Sequence, residues 1–517
     1  MKIKNITKFD ETREVKFSEI KKWYNTHLNT SKIDLNDKDV YENIYHKGRW
    51  AGVFQATQKP VQNFFQKAKP ENISDIATLT SIWRPGPLTA NVHELYLKSK
   101  IDGEMFDWGD QRINDVLKES YNCMIFQESV MEIANKIAGF PLEECDNVRK
   151  AIMKKSANPT EEDKKKAQEL KDKFISGCEK NNLNKNIASQ LYENIQKYAS
   201  YGFNKSHAIS YAINSYLCAW LLHYYEPEWL CAYLEYMSSP NDIPIAFSDV
   251  KSIGWDFVPV DINYATKEWT ILPGKKFMPS FLSCKGIGDS AIDEILANRP
   301  YNTIEEFLWD ENNEWKHSKF NKKSLETLIK IKGFDSLNCV GEGKIFSSYK
   351  HMYHVLIENY DLIKKTSIRE PDIGKINLYK IAKETYGMEE WSPKEFIEIK
   401  FGLTGTFNIF EFIPTNILNK LNDNNITCID DSLGEDKEIL WFVIKESQIK
   451  KTKNGKNYLL IDAIGLSAKV HKIYVWLNGK NQNISFDNFT LCIGEMTKSD
   501  FGFSTNNFKI KKISLNE

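Results

Sequence analysis

The stretch at residues 201–212, YGFNKSHAISYA, places Tyr201, Asn204, Lys205 and His207 around one glycine, at the mouth of a long apolar run. Glycine permits a tight turn. Residues 208–225 carry no formal charge. That length approaches a membrane span. Asn214, two serines and His223 interrupt it, however, and no second such stretch exists, so it reads as a buried core helix. Lys205 and His207 then sit at a helix N-terminus, where the dipole also favours an anion. Tyr201 offers a flat ring for a base or sugar, although plain packing would use it equally well. The chemistry expected here is the holding of phosphates.

Two further cationic groups fit that chemistry. Residues 149–155 read RKAIMKK, with Arg149, Lys150, Lys154 and Lys155 on a helical stretch. Lys150 and Lys154 lie four residues apart, where like charges repel, and a bound anion would relieve this. A solvated helix face would look the same. In SIWRPGP, Arg84 precedes Pro85, which fixes its place in a rigid non-helical turn. Arginine is scarce: 69 residues are Lys or Arg and only seven of them are Arg. That bias matches an AT-rich coding sequence. It also suggests that a surviving arginine uses its planar five-donor fork.

The elements that position these groups follow from periodicity. Residues 1–9 are short and β-leaning and end at Asp10, and 17–28 have helical spacing. From 47 to 240 apolar residues recur at steps of three and four, with Gly139 and Gly177 as punctuation. Residues 255–275 switch to strand and loop. Residues 279–340 hold two similar units, CKGIGDSAIDEILANR and NKKSLETLIKIKGF, and a polar helical connector runs to about 435. Beyond it, ILWFVIKES, KNYLLIDAIG, HKIYVWLNG, FTLCIGEMT and NFKIKKISL approach period two, which suggests a five-stranded OB-type barrel. The class is multidomain α+β.

Lys285, Gly286 and Gly288 have the form of a helix-hairpin-helix turn, whose free N–H groups hold a DNA phosphate without reading sequence. An ordinary glycine turn is the alternative. Lys332 and Gly333 give the second unit the same reading, since such hairpins often come in pairs. Lys450, Lys451, Lys453 and Lys456 flank Asn454-Gly455, a hairpin turn signal. They suit a single strand, with Tyr458 and Trp476 as stacking platforms, or simply a solvated loop. His351 and His354 have helical ligand spacing but no third ligand nearby, so a metal is not expected there.

Charge is nearly balanced at −1, so any nucleic-acid surface must be local. Nine cysteines without a C-x-x-C pair suit reduced thiols in a cytoplasm rather than a disulfide scaffold or zinc site. The charged N-terminus is not a signal peptide.

Taken in order, GVFQATQKPVQNF, SIWRPGP, IFQESVMEIANKIAGF with VRKAIMKK, YGFNKSHAISYA, VPVDIN, KGIGDSAIDEIL and GFDSL resemble the bacterial DNA polymerase III alpha subunit (C family), over roughly residues 8 to 515. The resemblance implies a last palm segment at 1–45, helical fingers at 46–278, tandem helix-hairpin-helix at 279–340, a connector at 341–435 and an OB-fold at 436–517. It implies a polymerase using two Mg²⁺ ions, with Arg84, Arg149, Lys150, Lys154, Lys155, Tyr201, Asn204, Lys205 and His207 on the nucleotide. Lys285, Gly286, Gly288, Lys332, Gly333, Lys451, Lys453 and Lys456 would face DNA. The third metal carboxylate falls on Asp10, although Glu11-Thr12-Arg13 replaces the family's Leu-Gly after it. The palm strand with the paired catalytic aspartates and the front domain have no counterpart, and the clamp-binding peptide is not recognisable. The expectation is therefore a split, AT-rich, phage-type polymerase whose partner chain supplies most Mg²⁺ ligands, acting on primer–template DNA and deoxynucleoside triphosphates, with a sliding clamp as a further partner and no membrane. The alternative is an inactive primer–template-binding protein.

Overall fold

The structure is a computed structural model. It describes residues 14–513 except 58, 154–159, 200–201, 238–241, 366, 368, 405–412, 414, 433, 435–436, 453–454, 466–469, 478–485, 500–501 and 507–508. Asp10, Lys154, Lys155, Tyr201 and Lys453 therefore lie outside the described residues. The described chain forms two compact units, 28–229 and 14–27 with 230–513.

The first unit is helical. Its most extensive helix pair is α1 (Ile73–Ile82) with α6 (Lys205–Tyr224). α6 is the uncharged stretch of the sequence, and it buries Ala208, Ala212, Ser215, Tyr216, Ala219, Trp220 and Leu222. It needs no charge because its polar groups find partners inside. Tyr216 Oη donates to the Asp34 carbonyl (2.8 Å), Tyr224 Oη donates to Asp37 Oδ2 (2.7 Å), and Tyr45 Oη lies 3.0 Å from Ser215 Oγ. Among the described residues no helix is long and apolar enough to cross a membrane.

Two local expectations change. Arg-Pro-Gly-Pro is not purely a turn: Arg84 is the N-cap of a short helix, α2 (Pro85–Thr89). Proline at the first helical position costs nothing, because its missing N–H would be unpaired there anyway. Gly177 does not punctuate but lies inside helix α5 (Glu161–Lys180), while α3 (Gln127–Lys136) and α4 (Leu142–Met153) precede it. A Cβ at 177 would lie 2.0 Å from the Ala138 carbonyl oxygen, so close packing demands the glycine.

Glu228, in the first turn of helix Glu226–Tyr236, is 3% exposed, and its Oε2 has no hydrogen-bond partner. Burial pushes its pKa up to about 7. Below the ordinary carboxylate range both folded and unfolded states hold the proton. Between about 4.5 and 7 only the folded state does, so stability falls as pH rises through this window, by about 3 kcal/mol in all. Glu228→Gln is expected to flatten the melting temperature between pH 5 and 8 and to raise it at pH 8. An unchanged pH profile would refute the assignment.

The second unit starts with a four-stranded sheet in the order Val15–Lys16, Thr270–Leu272, Lys276–Met278, Asp256–Phe257. Helices α7 (Asp289–Ala297) and α8 (Lys322–Lys330) follow. They share one core with Phe346, Tyr349, Met352, Val355, Tyr360 and Leu378, so the first part of the stretch read as a polar connector packs as a layer on the hairpin helices. Its polar faces hid a one-sided apolar stripe.

Residues 438–506 contribute β1 (Glu438–Lys451), β2 (Asn457–Ile464), β3 (Val470–Trp476), β4 (Leu491–Ser499) and β5 (Gly502–Asn506). β1 pairs with β2, β2 with β3, β3 with β5 in parallel, β5 with β4, and β4 with β1. The pairing thus returns to its first strand, an OB-type arrangement. Short strands Thr427–Cys428 and Ile510–Lys512 extend it. The fifth ring strand is Gly502–Asn506, not the NFKIKKISL stretch, whose described residues contribute the added strand Ile510–Lys512. Gly-Phe-Ser-Thr-Asn has weak strand propensity. It is held by burial of Phe503 and Thr505.

Candidate functional site

The Asn204 side chain accepts the His207 N–H (2.9 Å) and caps α6. Its Nδ2 donates to Glu128 Oε1 (2.8 Å), and the Lys205 N–H donates to Glu128 Oε2 (2.8 Å). The turn before it is tied to α3. Gln127 N–H donates to the Phe203 carbonyl (2.9 Å), Phe203 N–H to the Ile125 carbonyl (2.9 Å), and Gln127 Nε2 to the Gly202 carbonyl (2.8 Å). The helix start is thus fixed from both sides, with Asn204 and His207 exposed and Lys205 half-buried.

Arg84 reaches the same place. Its guanidinium lies 3.7 Å above the Phe203 ring, a short cation–π contact. The His207 ring is 5.4 Å from Phe203 and 4.2 Å from Tyr211. A planar cation, a row of rings and a helix N-terminus therefore converge from segments far apart in sequence. Such a surface can hold a phosphate chain on Arg84, Lys205 and His207, and a base or sugar on the rings.

Lys205 Nζ is paired with Glu119 (2.5 Å). Arg149 and Lys150 are engaged on their own helix. Both converge on Asp146, at 2.6 Å each, and hold its carboxyl below the usual carboxylate range, Lys150 first and Arg149 second. The anion that the lysine spacing seemed to call for is, in part, Asp146 of the same helix. Glu119, Glu128 and Phe203 were not singled out from sequence. Glu128 lies within the IFQESVMEIANKIAGF stretch, but nothing local announces its contact with Asn204.

In the second unit, Lys285, Gly286 and Gly288 form an exposed turn before α7, whereas Gly333 is buried and Lys332 half-buried beyond the end of α8. In the OB-type part, Lys450, Lys451 and Lys456 are exposed around the β1–β2 hairpin. Tyr458 faces Trp476 across β2 and β3 at 5.7 Å, with Trp476 38% exposed. Cations and rings thus lie on three adjacent strands. His351 is buried, its Nδ1 3.0 Å from the Ser347 N–H it accepts and its Nε2 3.0 Å from Thr385 Oγ1, so it does not pair with His354 around a metal. Among the described residues no group of three His, Cys, Asp or Glu side chains is placed to hold a metal ion.

Residues 13–182 match the bacterial DNA polymerase III alpha subunit finger domain, and residues 254–340 match a helix-hairpin-helix motif. The chain is a relative of the bacterial DNA polymerase III alpha subunit, matching its C-terminal half. The DNA polymerase III subunit alpha of Aquifex aeolicus is 29% identical over 474 residues, 90% of this chain and 38% of the relative. That of Ureaplasma parvum is 30% identical over 483 residues, 92% of this chain and 47% of the relative. That of Treponema pallidum is 28% identical over 440 residues, 82% and 36% respectively. The chain spans less than half the length of each of these polymerase subunits. The fingers match begins at residue 13, within the stretch expected to be palm, and it contains Arg84, Arg149 and Lys150 but not the α6 start.

Proposed function

We propose that this chain supplies the fingers, the helix-hairpin-helix part and the OB-type part of a C-family DNA polymerase, which adds deoxynucleotides to a primer 3′ end. The observation that carries this reading is the stacking of Arg84 on Phe203 beside Asn204, Lys205 and His207 at the start of α6. Among the described residues the Arg84 guanidinium makes no hydrogen bond or ion pair, so its fork can grip two phosphate oxygens, and Lys205 and His207 add charge where the α6 dipole already favours an anion. Lys205 must leave Glu119 to do so. Arg149 and Lys150, with Lys154 and Lys155, extend the cationic side. Holding the triphosphate and the base this way contributes orientation and charge.

The reaction also needs two metal ions, which supply charge neutralisation at the attacking and leaving oxygens. Their carboxylates would come mainly from a separate chain carrying the front domain and palm, with Asp10 as this chain's contribution. Pairing of Lys205 with Glu119, and of Arg149 and Lys150 with Asp146, favours a second reading: a primer–template holder whose nucleotide site is closed.

Primer extension with Mg²⁺ and all four nucleotides separates the two. The chain is assayed alone and with a palm-bearing polymerase chain from the same genome. Extension in the mixture alone, lost in Asp10→Ala, is the expected outcome. Extension in neither tube, with primer–template still bound, would establish the second reading. Robust extension by this chain alone would overturn the split arrangement.

A further inference from the structure

The two Lys-Gly turns look equivalent in sequence, yet they sit at opposite helix ends. Lys285-Gly286-Ile287-Gly288 precedes α7 and so faces its positive end. Lys332-Gly333 follows α8 and faces its negative end, and the next element, Asp335–Leu337, is only three residues long.

Their backbone donors differ accordingly. At the second turn the Ile331, Lys332 and Gly333 N–H groups donate to the carbonyls of Thr327 (3.0 Å), Ile329 (3.1 Å) and Leu328 (2.8 Å). The Lys332 ammonium lies 3.3 Å from Glu390 Oε2 and 4.4 Å over the Phe396 ring. The N–H groups of Ile331, Lys332 and Gly333 and the Lys332 ammonium are thus all engaged within the protein. At the first turn the N–H groups of Gly286, Gly288, Asp289 and Ser290 make no hydrogen bond among the described residues, and all four residues are exposed. Lys267 bridges Asp289 Oδ1 (2.9 Å) and Asp293 Oδ1 (2.8 Å), which offsets part of the acidic charge beside them.

The first turn is held from behind by α8. Thr327 Oγ1 donates to the Lys285 carbonyl and Ser324 Oγ to the Gly286 carbonyl, both at 3.0 Å, and both side chains are buried. In a trans peptide the N–H points opposite to the C=O. Anchoring these two carbonyls inward therefore turns the Gly286 and Ile287 N–H bonds away from α8, and of the two only that of Gly286 is left open, since the Ile287 N–H donates to the Cys284 carbonyl (3.4 Å). Gly286 has φ +101°, which only glycine adopts readily.

We infer that the hairpins have divided the work: the turn at 285–288 alone grips the DNA backbone, and α8 of the second unit is its brace, with Ser324 and Thr327 as positioning residues. This deepens the proposed function and rests on its DNA-binding part. The test is fluorescence anisotropy of a labelled primer–template duplex with the full chain, without nucleotides, across a salt series.

Lys285→Ala is expected to weaken binding about tenfold and to reduce the slope of log affinity against log salt by about one. Lys332→Ala is expected to change neither by more than about twofold. Thr327→Val should weaken binding like Lys285→Ala, and Thr327→Ser should restore it, with thermal melting reporting that each variant is folded. If Thr327→Val does not fold, the two surface lysine variants still decide the matter. Equal losses in Lys332→Ala and Lys285→Ala would overturn the division. Absence of duplex binding by the unsubstituted chain would remove the inference and the proposed function together. Normal binding with the expected Lys285 dependence but no primer extension in any mixture would sink only the polymerase reading.

Discussion

Arg84→Ala is expected to lower the efficiency of nucleotide addition by about a hundredfold in the two-chain assay, while the melting temperature stays within about 2 °C. The first figure follows from removing one preorganised cation from a site that stabilises phosphate charge. The second follows from exposure: Arg84 packs its guanidinium on Phe203 at the surface, and such a contact contributes about 1 kcal/mol at most. Arg84→Lys should recover only a small part of the loss, because an ammonium has neither the planar fork nor the same stacking on a ring. Steady-state kinetics with varied nucleotide would check this. Wild-type efficiency in Arg84→Ala would show that the triphosphate is held elsewhere.

Asp75→Ala is expected to destabilise the first unit by about 3–5 kcal/mol, lowering its melting temperature by about 10 °C. Asp75 is 1% exposed, and its Oδ2 accepts from Lys100 Nζ at 2.5 Å and from the Glu71 N–H at 2.9 Å. The Asp75 N–H in turn donates to Asn72 Oδ1, the cap of α1. Truncation leaves the Lys100 ammonium, only 5% exposed, without its carboxylate. The double variant Asp75→Ala, Lys100→Met should regain much of the loss, since the cost lies in the orphaned charge. Calorimetry of the three variants checks this; an Asp75→Ala protein as stable as the parent would mean that Lys100 relaxes to water. The site is affected indirectly, because α1 leads through Trp83 straight to Arg84.

What sequence reveals here divides by range. The uncharged buried helix after Asn204 and the glycine turn before α7 are local features, set by neighbours within a few residues, and they were legible. The Arg84–Phe203 stack and the hold of Glu128 on Asn204 join distant segments, and no spacing rule encodes them. Lys332-Gly333 repeats the letters at 285–286, but there the longer helix lies before the turn and not after it, a difference that the two local sequences do not announce. The strand at 502–506 was hidden because two inward residues among glycine and small polar groups give almost no periodic signal. Residues 1–13, where Asp10 stands, lie outside the described residues, so the metal expectation is carried to the extension assay.

The carboxylates on the candidate nucleotide cations have a kinetic consequence. Glu119 sits on Lys205, and Asp146 sits on Arg149 and Lys150. Seen from several ångströms away the Lys205–Glu119 pair is nearly neutral and the Arg149–Lys150 pair keeps about one net charge, so these groups draw an approaching polyanion much less than three bare cations would. Capture becomes an exchange of one anion for another, made at close contact. The association rate of a nucleotide should therefore depend little on ionic strength, while Glu119→Gln should make it faster and newly sensitive to salt.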